Sequence, residues 1–407
     1  MTESTAHLGR SSGASVAIIG GGLAGAAAAR QLTRSMPERL SEVTVYEIGR
    51  GPGGRASTRR TRSMPECRIN HGAPYADLST HEGREFAASL GNAIRPYPGR
   101  QGVVDGPAGV PRARAGDDAA VRVTGESGGM AAIAEALLAD ARNAARCPIT
   151  TAYSTMVRGL ARGGGDDDPW VLSDRDGATV GHSDWLIVAG SGIAHPRWSD
   201  TFGGQPPLVT AASDMGDASL DEALSVIARQ TAAPVLTTFF YCRGAVATQW
   251  RDVPFHDLVI NDHAVLAKLS IQPIGSDGCA VVLHSTIEFA RQNAGVHGAS
   301  SSAARVGGAR SNATQEADLI ETMLTALSDI PGMPGIDPSL LAFGPLLHRW
   351  GNAFPQGEPL PRALSVCPQA RVAFCGDYVE TPARMGSCES ALLSGAAVTD
   401  GIRPGER

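Results

Sequence analysis

Glycines between a predicted strand and a predicted helix constrain the fold of this 407-residue chain more than any other feature. The apolar residues 16–19 predict a buried strand, and the alanine-rich residues 26–34 predict a helix. Between them, Gly20 permits a sharp turn, Gly22 leaves room for a diphosphate, and Gly25 lets the helix lie close to the strand. This order of elements predicts a Rossmann-type site for a dinucleotide.

The residues that follow the glycines extend this prediction. Leu23 and Ala24 begin the predicted helix, where free amides and the helix dipole favour a phosphate. Glu47 ends a second predicted strand, about 20 residues further on, where a carboxylate binds the ribose hydroxyls of an adenosine. Gly54 and Arg55 predict a further contact with the diphosphate. The alternative, a structural turn with a surface glutamate, does not require all these elements in this order.

The composition indicates a globular protein with enough material for two domains: 43% of its residues are hydrophobic and 19% are charged. A net charge of −6 argues against nucleic acid or an anionic membrane as the main partner. The 7 cysteines are scattered, which is typical of free thiols in a cytoplasmic protein. We expect residues 1–13 to form a disordered tail. Glycines interrupt the apolar residues 14–29, which predicts neither a signal peptide nor a membrane span.

The C-terminal end repeats the order of strand, glycine and helix. Residues 371–375 predict a strand that ends at Gly376, and a helix is predicted to begin at residues 385–386. A purely structural strand and helix is the alternative, and the pairing with the N-terminal glycines disfavours it. The cofactor contacts predicted in this segment are Gly376, Asp377, Gly386, Ser387 and Ala391.

Three motifs resemble the flavin-containing amine oxidase superfamily. Gly53-Gly54-Arg55 resembles its FAD-binding half, and residues 376–395 are similar to its closing motif, with Ser390 in place of a glycine. Asn70-His71-Gly72-Ala73-Pro74-Tyr75 resembles the D-H-G-A-Q-Y stretch of the renalase-like branch. Asn70 and Pro74 depart from that stretch. Taken together, the three motifs resemble those of the renalase-like branch of this superfamily.

The resemblance implies a bound FAD. In that family the chain passes the flavin ring at the positions of His71 and Gly72, and the position of Val157 makes a main-chain contact with the adenine. Asp377 would accept a hydrogen bond from a ribityl hydroxyl or orient a water beside the diphosphate. The helix start near Gly386 would favour the negative charge that collects on a reduced flavin. Because no cysteine or histidine lies in a recognised attachment motif, we expect FAD to be non-covalent.

The resemblance also implies catalytic roles for Tyr75, His284 and Trp350 around the isoalloxazine. Residues 281–286 and 347–350 resemble the family segments that carry the last two. The alternative for Tyr75 is a core tyrosine with its hydroxyl satisfied. Without the resemblance, a core histidine is an equally good interpretation of His284. Lys268 is either the lysine that often lies near flavin N5 in amine oxidases or an ordinary surface lysine. In the family an arginine follows the tryptophan, where this chain has glycine, so a charge is missing or displaced to the preceding arginine.

These patterns predict an α/β fold with a Rossmann-type FAD-binding domain and a second, α+β substrate domain. We assign residues 14–75, 120–195 and 365–402 to the first domain. Residues 76–119 and 196–364 form the second, with residues 92–118 irregular because they are rich in Pro, Gly and Arg. The acidic residues 166–168 predict a solvated loop and no metal site.

The function predicted is hydride removal from a C–H bond beside nitrogen, in a small amine or a dihydronicotinamide-like donor, with O2 as a candidate electron acceptor. Two alternatives stay open: an NAD(P)H-dependent flavin monooxygenase, and a flavoprotein whose FAD undergoes no redox turnover. The sequence does not separate an oxidase from a dehydrogenase, and it gives no oligomeric state.

Overall fold

A computed structural model describes residues 13–114, 121–126, 129–163, 165, 168–296, 298 and 312–402. The predicted tail lies outside the described residues except for Gly13. The strands are β1 Ala14–Ile19, β2 Leu40–Glu47, β3 Arg59–Arg60, β4 Arg68–Ile69, β5 Ala76–Leu78, β6 Ile94–Pro96, β7 Gln101–Asp105, β8 Arg112–Ala113, β9 Val121–Gly125, β10 Ile149–Tyr153, β11 Gly159–Arg162, β12 Trp170–Ser173, β13 Thr179–Ser183, β14 Trp185–Val188, β15 Thr231–Arg243, β16 Asp257–Asn261, β17 Leu266–Ile274, β18 Gly278–Ser285, β19 Phe343–Gln356, β20 Val366–Cys367 and β21 Val372–Phe374. The helices are α1 Leu23–Ser35, α2 His81–Ala88, α3 Ala131–Ala144, α4 Trp198–Phe202, α5 Pro207–Ala212, α6 Ala218–Arg229, α7 Gly244–Arg251, α8 Ile287–Gln292, α9 Ala313–Ser328 and α10 Cys388–Ala397.

A six-stranded sheet in the order β10-β2-β1-β14-β21-β20 forms the first half of the molecule. Its first five strands are parallel, and β20 runs antiparallel to β21. The centres of these strands, such as Ile18, Val45 and Ile187, are fully buried because helices or strands cover both faces of the sheet. This sheet confirms the predicted Rossmann-type α/β fold.

A seven-stranded sheet in the order β19-β15-β18-β17-β16-β7-β8 forms the second half. It is antiparallel except for the parallel pair β16 and β7. Helices α7, α8 and α9 pack on its outer face around buried side chains such as Phe240 and Leu283. A smaller apolar cluster on the inner face joins Phe239 and Val282 to Ile69 of β4. The inner face therefore looks towards the chain that leaves the first half.

The strand β7 corrects one prediction. Residues 92–118 were expected to be irregular, yet Gln101–Asp105 pairs in register with Asp257–Asn261. The two segments are about 150 residues apart, so local periodicity carries no sign of the pairing. Residues 115–118 lie outside the described part of the chain.

The packing also differs from the predicted domain ranges at two places. Helices α4, α5 and α6, assigned to the substrate domain, bury Trp198, Leu208 and Leu220 against the six-stranded sheet. Strand β5 and helix α2 bury Ala76 and Ala87 on the opposite side of that same sheet. We therefore propose that the crossings between the halves lie near residues 96 and 230; the predicted ranges placed them at 76 and 196.

Candidate active site

The carboxyl ends of the parallel strands meet along one edge of the six-stranded sheet, as they do in nucleotide-binding folds. Glycines crowd the loops at this edge, at residues 20–25, 49–54, 190–192 and 376, and we call these loops the glycine edge. Gly20 has a φ of +115°, which favours glycine. A Cβ on Gly25 would overlap the Gly20 carbonyl oxygen, whereas a Cβ on Gly22 would meet no atom nearer than 3.9 Å. Tight turn, close helix and open space thus lie where the sequence predicted each of them.

Glu47 holds the glycine edge together. Its carboxylate accepts hydrogen bonds from the amides of Gly21 at 2.8 Å and Gly49 at 2.6 Å, and the residue is 8% exposed. Burial raises the pKa of this carboxyl, and the two amides oppose that rise. The sequence predicted only a ribose contact for Glu47, and that contact stays a prediction. The bonds to the glycine loops are an additional, structural role.

The other predicted nucleotide contacts lie along the same edge. Leu23 and Ala24 are the first buried residues of α1. The loop after β10 runs beside Glu47, because the amide of Thr155 donates to the Glu47 carbonyl at 3.0 Å. Val157, in the same loop, is buried. The predicted adenine contact of Val157 remains untested.

Arg55 and Asp377 join the two ends of the predicted cofactor segment. The guanidinium donates to both oxygens of the carboxylate at 2.6 and 2.5 Å, and also to the carbonyl of Ala353 in β19 at 3.1 Å. The Asp377 side chain is 5% exposed and that of Arg55 is 36% exposed. Burial works to lower the pKa of Arg55, but the charge and hydrogen bonds of Asp377 outweigh it and raise the pKa. The pair therefore ties the glycine edge, the closing segment and the second sheet together.

The closing helix begins later than predicted. Helix α10 starts at Cys388, where the Ser387 hydroxyl accepts from the Ser390 amide at 2.9 Å as the N-cap. Gly386 has a φ of +82°, which no helical residue adopts, so the predicted start at residues 385–386 is wrong. The Gly376 amide donates to the Ser394 hydroxyl at 2.9 Å, which holds this strand end against α10. Ala391 lies half-buried in the first turns of α10.

A row of polar side chains lines the inner face of the seven-stranded sheet. Strand register places Lys268 opposite His284, His284 opposite Thr237, and Thr237 opposite His348. Directly opposed residues share a face, and the alternate residues pack into the apolar outer face. We call the whole set the polar face; its members are Gln101, Asp257, Lys268, Thr237, His284, His348 and Trp350.

Two predicted site residues meet at one backbone oxygen. The carbonyl of His71 accepts from Trp350 Nε1 at 3.3 Å and faces His284 Nε2 at 3.2 Å. The ring centroids of His71 and Trp350 lie 5.1 Å apart. A Cβ on Gly72 would overlap the Arg55 carbonyl oxygen, so only glycine fits at this crossing. Residues 70–72, β18 and β19 therefore converge at one place.

Tyr75 lies in a neighbouring cluster. Its hydroxyl donates to the buried carboxylate of Asp257 at 2.7 Å, and Lys268 Nζ lies 3.0 Å from the same carboxylate and 3.4 Å from the hydroxyl. The ammonium also sits 4.6 Å from the centre of the Tyr75 ring. Lys268 is thus a partly buried ion-pair partner, and the interpretation as an ordinary surface lysine is wrong.

The two histidines of the polar face, and His71 beside it, are neutral at neutral pH. Burial, and next the charge of Lys268, lowers the pKa of His284 to about 4. Burial, and next the charge of Arg59, lowers the pKa of His348 to about 4. Burial also lowers the pKa of His71 well below its usual range. The site thus offers neutral imidazoles as hydrogen-bond partners.

Comparisons with known proteins support the fold. Residues 18–90 match the NAD(P)-binding Rossmann-like domain. No curated protein sequence matches the chain. Putrescine oxidase bound to putrescine superposes with a TM-score of 0.56 at 12% identity, over 94% of this chain and 97% of that one. Cyclohexylamine oxidase from Brevibacterium oxydans superposes with a TM-score of 0.59 at 13% identity, over 95% and 98%.

The chain has the two-domain fold of these oxidases. A third structure, the Diels-Alderase PyrE3 of pyrroindomycin biosynthesis, superposes with a TM-score of 0.50 at 15% identity, over 96% of this chain and 67% of that one. Identities this low establish the fold and leave the activity open. Within the described residues, no group of three or more His, Cys, Asp or Glu side chains is placed to hold a metal ion. The helices described include none that is both long and apolar enough to span a bilayer.

The fold also brings together residues that sequence reasoning missed. Asp257 and His348 belong to the polar face, and strict alternation with Trp350 along β19 was the available signal for His348. Gln272 exchanges two hydrogen bonds with the backbone of Asn70, at 2.9 and 3.0 Å. Arg197 donates to Ser191 at 2.7 Å beside the glycine edge. Burial, and next the charge of Arg55, lowers the pKa of Arg197 to about 10.

Proposed function

We propose that the protein is an FAD-dependent oxidoreductase that removes hydride from a C–H bond beside nitrogen in a small amine or a dihydronicotinamide-like donor. The observation that carries the proposal is the meeting of the glycine edge with the polar face through residues 70–75 and the Arg55–Asp377 pair. The names of two neighbours in fold, putrescine oxidase and cyclohexylamine oxidase, agree with an amine donor.

The glycine edge suits FAD in its open space and in the carboxylate at the end of β2. The space over Gly22 is clear, as a diphosphate requires, and Glu47 stands at the end of β2, where a ribose is bound in this kind of fold. Bound FAD would supply the hydride acceptor. The residues that would hold it are Gly20, Gly22, Leu23, Ala24, Gly25, Glu47, Gly54, Arg55, His71, Gly72, Val157, Gly376, Asp377, Gly386, Ser387 and Ala391.

The polar face would bind and orient the donor. Trp350 and Tyr75 provide aromatic walls for a flat molecule. His284, neutral with a pKa of about 4, offers a hydrogen bond to the donor nitrogen. Lys268 forms an ion pair with Asp257, so the two charges offset each other beside the donor. We also propose Lys268 as the lysine near flavin N5, because it stands opposite His284 in the sheet.

The decisive experiment is anaerobic stopped-flow reduction of the purified yellow protein by a panel of amines and dihydronicotinamides. The expected result is bleaching by at least one donor, with Trp350→Ala and His284→Gln slowing it about tenfold or more while FAD stays bound. His182→Gln, an exposed histidine on β13, serves as the control. Admitting air afterwards separates an oxidase, which recovers its colour at once, from a dehydrogenase. Wild-type rates in both site variants would place the donor elsewhere.

One alternative has an observation in its favour. One of the neighbours in fold is named a Diels-Alderase. The name denotes a cycloaddition, which is a reaction class without net electron transfer. A protein of this type would keep its FAD oxidised with every donor. Rapid bleaching by NADPH that requires an aromatic co-substrate would instead favour a monooxygenase.

A cytoplasmic location and non-covalent attachment of FAD remain predictions. Colour that stays on the denatured polypeptide would contradict non-covalent attachment.

A further inference from the structure

Among the buried polar atoms that have no hydrogen-bond partner in the described part of the chain, four belong to side chains at or beside one end of the polar face. They are Nδ1 of His71, Nδ1 of His348, Oγ1 of Thr237 and Nε of Arg59, and none has a hydrogen-bond partner among the described residues. Thr237 is fully buried and His71 is 6% exposed. Buried polar groups are almost always satisfied in native proteins, so four unsatisfied ones together indicate a missing partner.

These side chains lie in one place. Thr237 and His348 stand opposite each other in neighbouring strands, and the ring centroids of His71 and His348 lie 5.0 Å apart. Arg59 stands opposite Ile69 in the β3–β4 ribbon, so both point to the same side. Ile69 packs on the inner face beside Phe239. Arg59 is therefore directed towards the two histidines, and its charge lowers the pKa of both, after burial as the main cause.

The charge of this group is positive. Arg59 makes no ion pair with any described acidic side chain. Burial, and next the charge of Arg50, lowers the pKa of the Arg59 guanidinium. Arginine side chains nevertheless stay protonated in proteins. Both imidazoles are neutral at pH 7. The group thus carries one uncompensated positive charge and up to four unused hydrogen-bond donors.

We propose that Arg59, His71, His348 and Thr237 form a subsite for an anionic group, a carboxylate or a phosphate, of the electron donor. The guanidinium and the hydroxyl donate directly, and each neutral imidazole donates when its proton is on Nδ1. A cationic or apolar group would leave these donors unsatisfied. The identity of the ligand as the donor rests on the proposed function, whereas the binding of an anion does not.

The subsite predicts that the protein binds a simple anion. Inorganic phosphate is titrated into the full-length protein with its cofactor, at constant ionic strength in sodium chloride, and the heat is recorded. Saturable binding is expected in the wild type, with an affinity about tenfold or more lower in Arg59→Gln, since a charge-assisted hydrogen bond is lost. Arg59→Lys, which keeps the charge, should recover part of the affinity.

Arg60→Gln is the matched control. Arg60 follows Arg59 directly, points to the other side of the ribbon and pairs with Glu135 at 2.9 Å. It should bind phosphate like the wild type. Equal affinity in Arg59→Gln and the wild type, or no saturable binding in the wild type, would overturn the subsite. Loss of flavin in Arg59→Gln would assign Arg59 to the cofactor and overturn it as well.

Pairs of donors then identify the source of the anion. Benzylamine is compared with phenylglycine for a carboxylate, and dihydronicotinamide riboside with its 5′-phosphate for a phosphate, by anaerobic bleaching. The member of one pair that carries the carboxylate or phosphate should reduce the wild-type flavin about tenfold faster or more, and Arg59→Gln should remove that preference. If no donor bleaches the flavin, the proposed function fails, and the phosphate titration still decides the subsite. A preference for the members without a carboxylate or phosphate would contradict the proposal.

Discussion

The glycine edge and the polar face are built in opposite ways. The glycine edge is built mainly from backbone groups: the amides of Gly21 and Gly49 donate hydrogen bonds to Glu47, and the absence of a Cβ at Gly22 leaves space. The polar face is built from side chains on strands that are far apart in sequence. Lys268, His284, Thr237 and His348 form one row across four of these strands. A backbone site depends on a few contiguous residues, whereas a side-chain site depends on the register of a whole sheet.

The two regions should also respond differently to substitution. At Gly25 the glycine edge has no room for an added Cβ, because the neighbouring group is the Gly20 carbonyl, which is backbone and cannot move aside. The polar face tolerates changes of side chain, but its electrostatics change with each charge that is removed. Three experiments separate these behaviours, beginning with the one expected to have the largest effect.

Gly25→Ala should abolish cofactor binding and destabilise the fold. The added Cβ would overlap the Gly20 carbonyl oxygen, which forces α1 away from β1 at a cost of about 3 kcal/mol. Urea unfolding and the ratio of flavin to protein absorbance measure the two effects. Gly335→Ala is the control, since a Cβ there meets no atom within 4 Å. Retention of flavin in Gly25→Ala would show that the glycine edge is less rigid than its contacts imply.

This contrast explains what the sequence predicted and what it did not. The Rossmann-type sheet and the turn at Gly20–Gly25 follow from local patterns, and both match the structure. The ion pair of Lys268 with Asp257 was not predicted, because β16 and β17 gave no sign of their register. His348 was missed although it alternates with Trp350, since residue type alone does not distinguish a core histidine from a site histidine. The start of α10 was misplaced because the left-handed φ of Gly386 is invisible in the sequence.

Asp377→Asn breaks the link between the two regions. Arg55 would lose its carboxylate partner while remaining partly buried, which should destabilise the protein by about 2 kcal/mol. The Arg55 side chain is 36% exposed, so water screens its charge and a larger cost is not expected. The measurement is the free energy of unfolding by urea for Asp377→Asn, Arg55→Gln and the double variant. A coupling free energy of about 1–2 kcal/mol is expected from the direct contact. Additive effects would mean that the pair does not hold the halves together.

Lys268→Met should change the pKa of His284 on the polar face and leave cofactor binding at the glycine edge unchanged. The pKa of His284 lies at about 4 because of burial first and Lys268 second, with Asp257 acting in the opposite direction. Removing the ammonium should raise this pKa while burial keeps it below 6.5. An NMR titration of the histidine rings measures the change, with His284→Gln used to assign the signal. Lys268→Met/Asp257→Asn controls for the carboxylate that loses its partner.

The same shift has a consequence for stability, and its sign follows from proton binding. A histidine whose pKa is lowered on folding binds its proton more readily when unfolded, so it stabilises the fold above pH 6.5 and progressively less as the pH falls towards 4. In Lys268→Met that loss between pH 6.5 and 4 should be smaller than in the wild type, while the flavin content stays the same. An unchanged pKa of His284 would show that Lys268 and His284 do not share a face of the sheet. The definition of the polar face would then be wrong at these two residues.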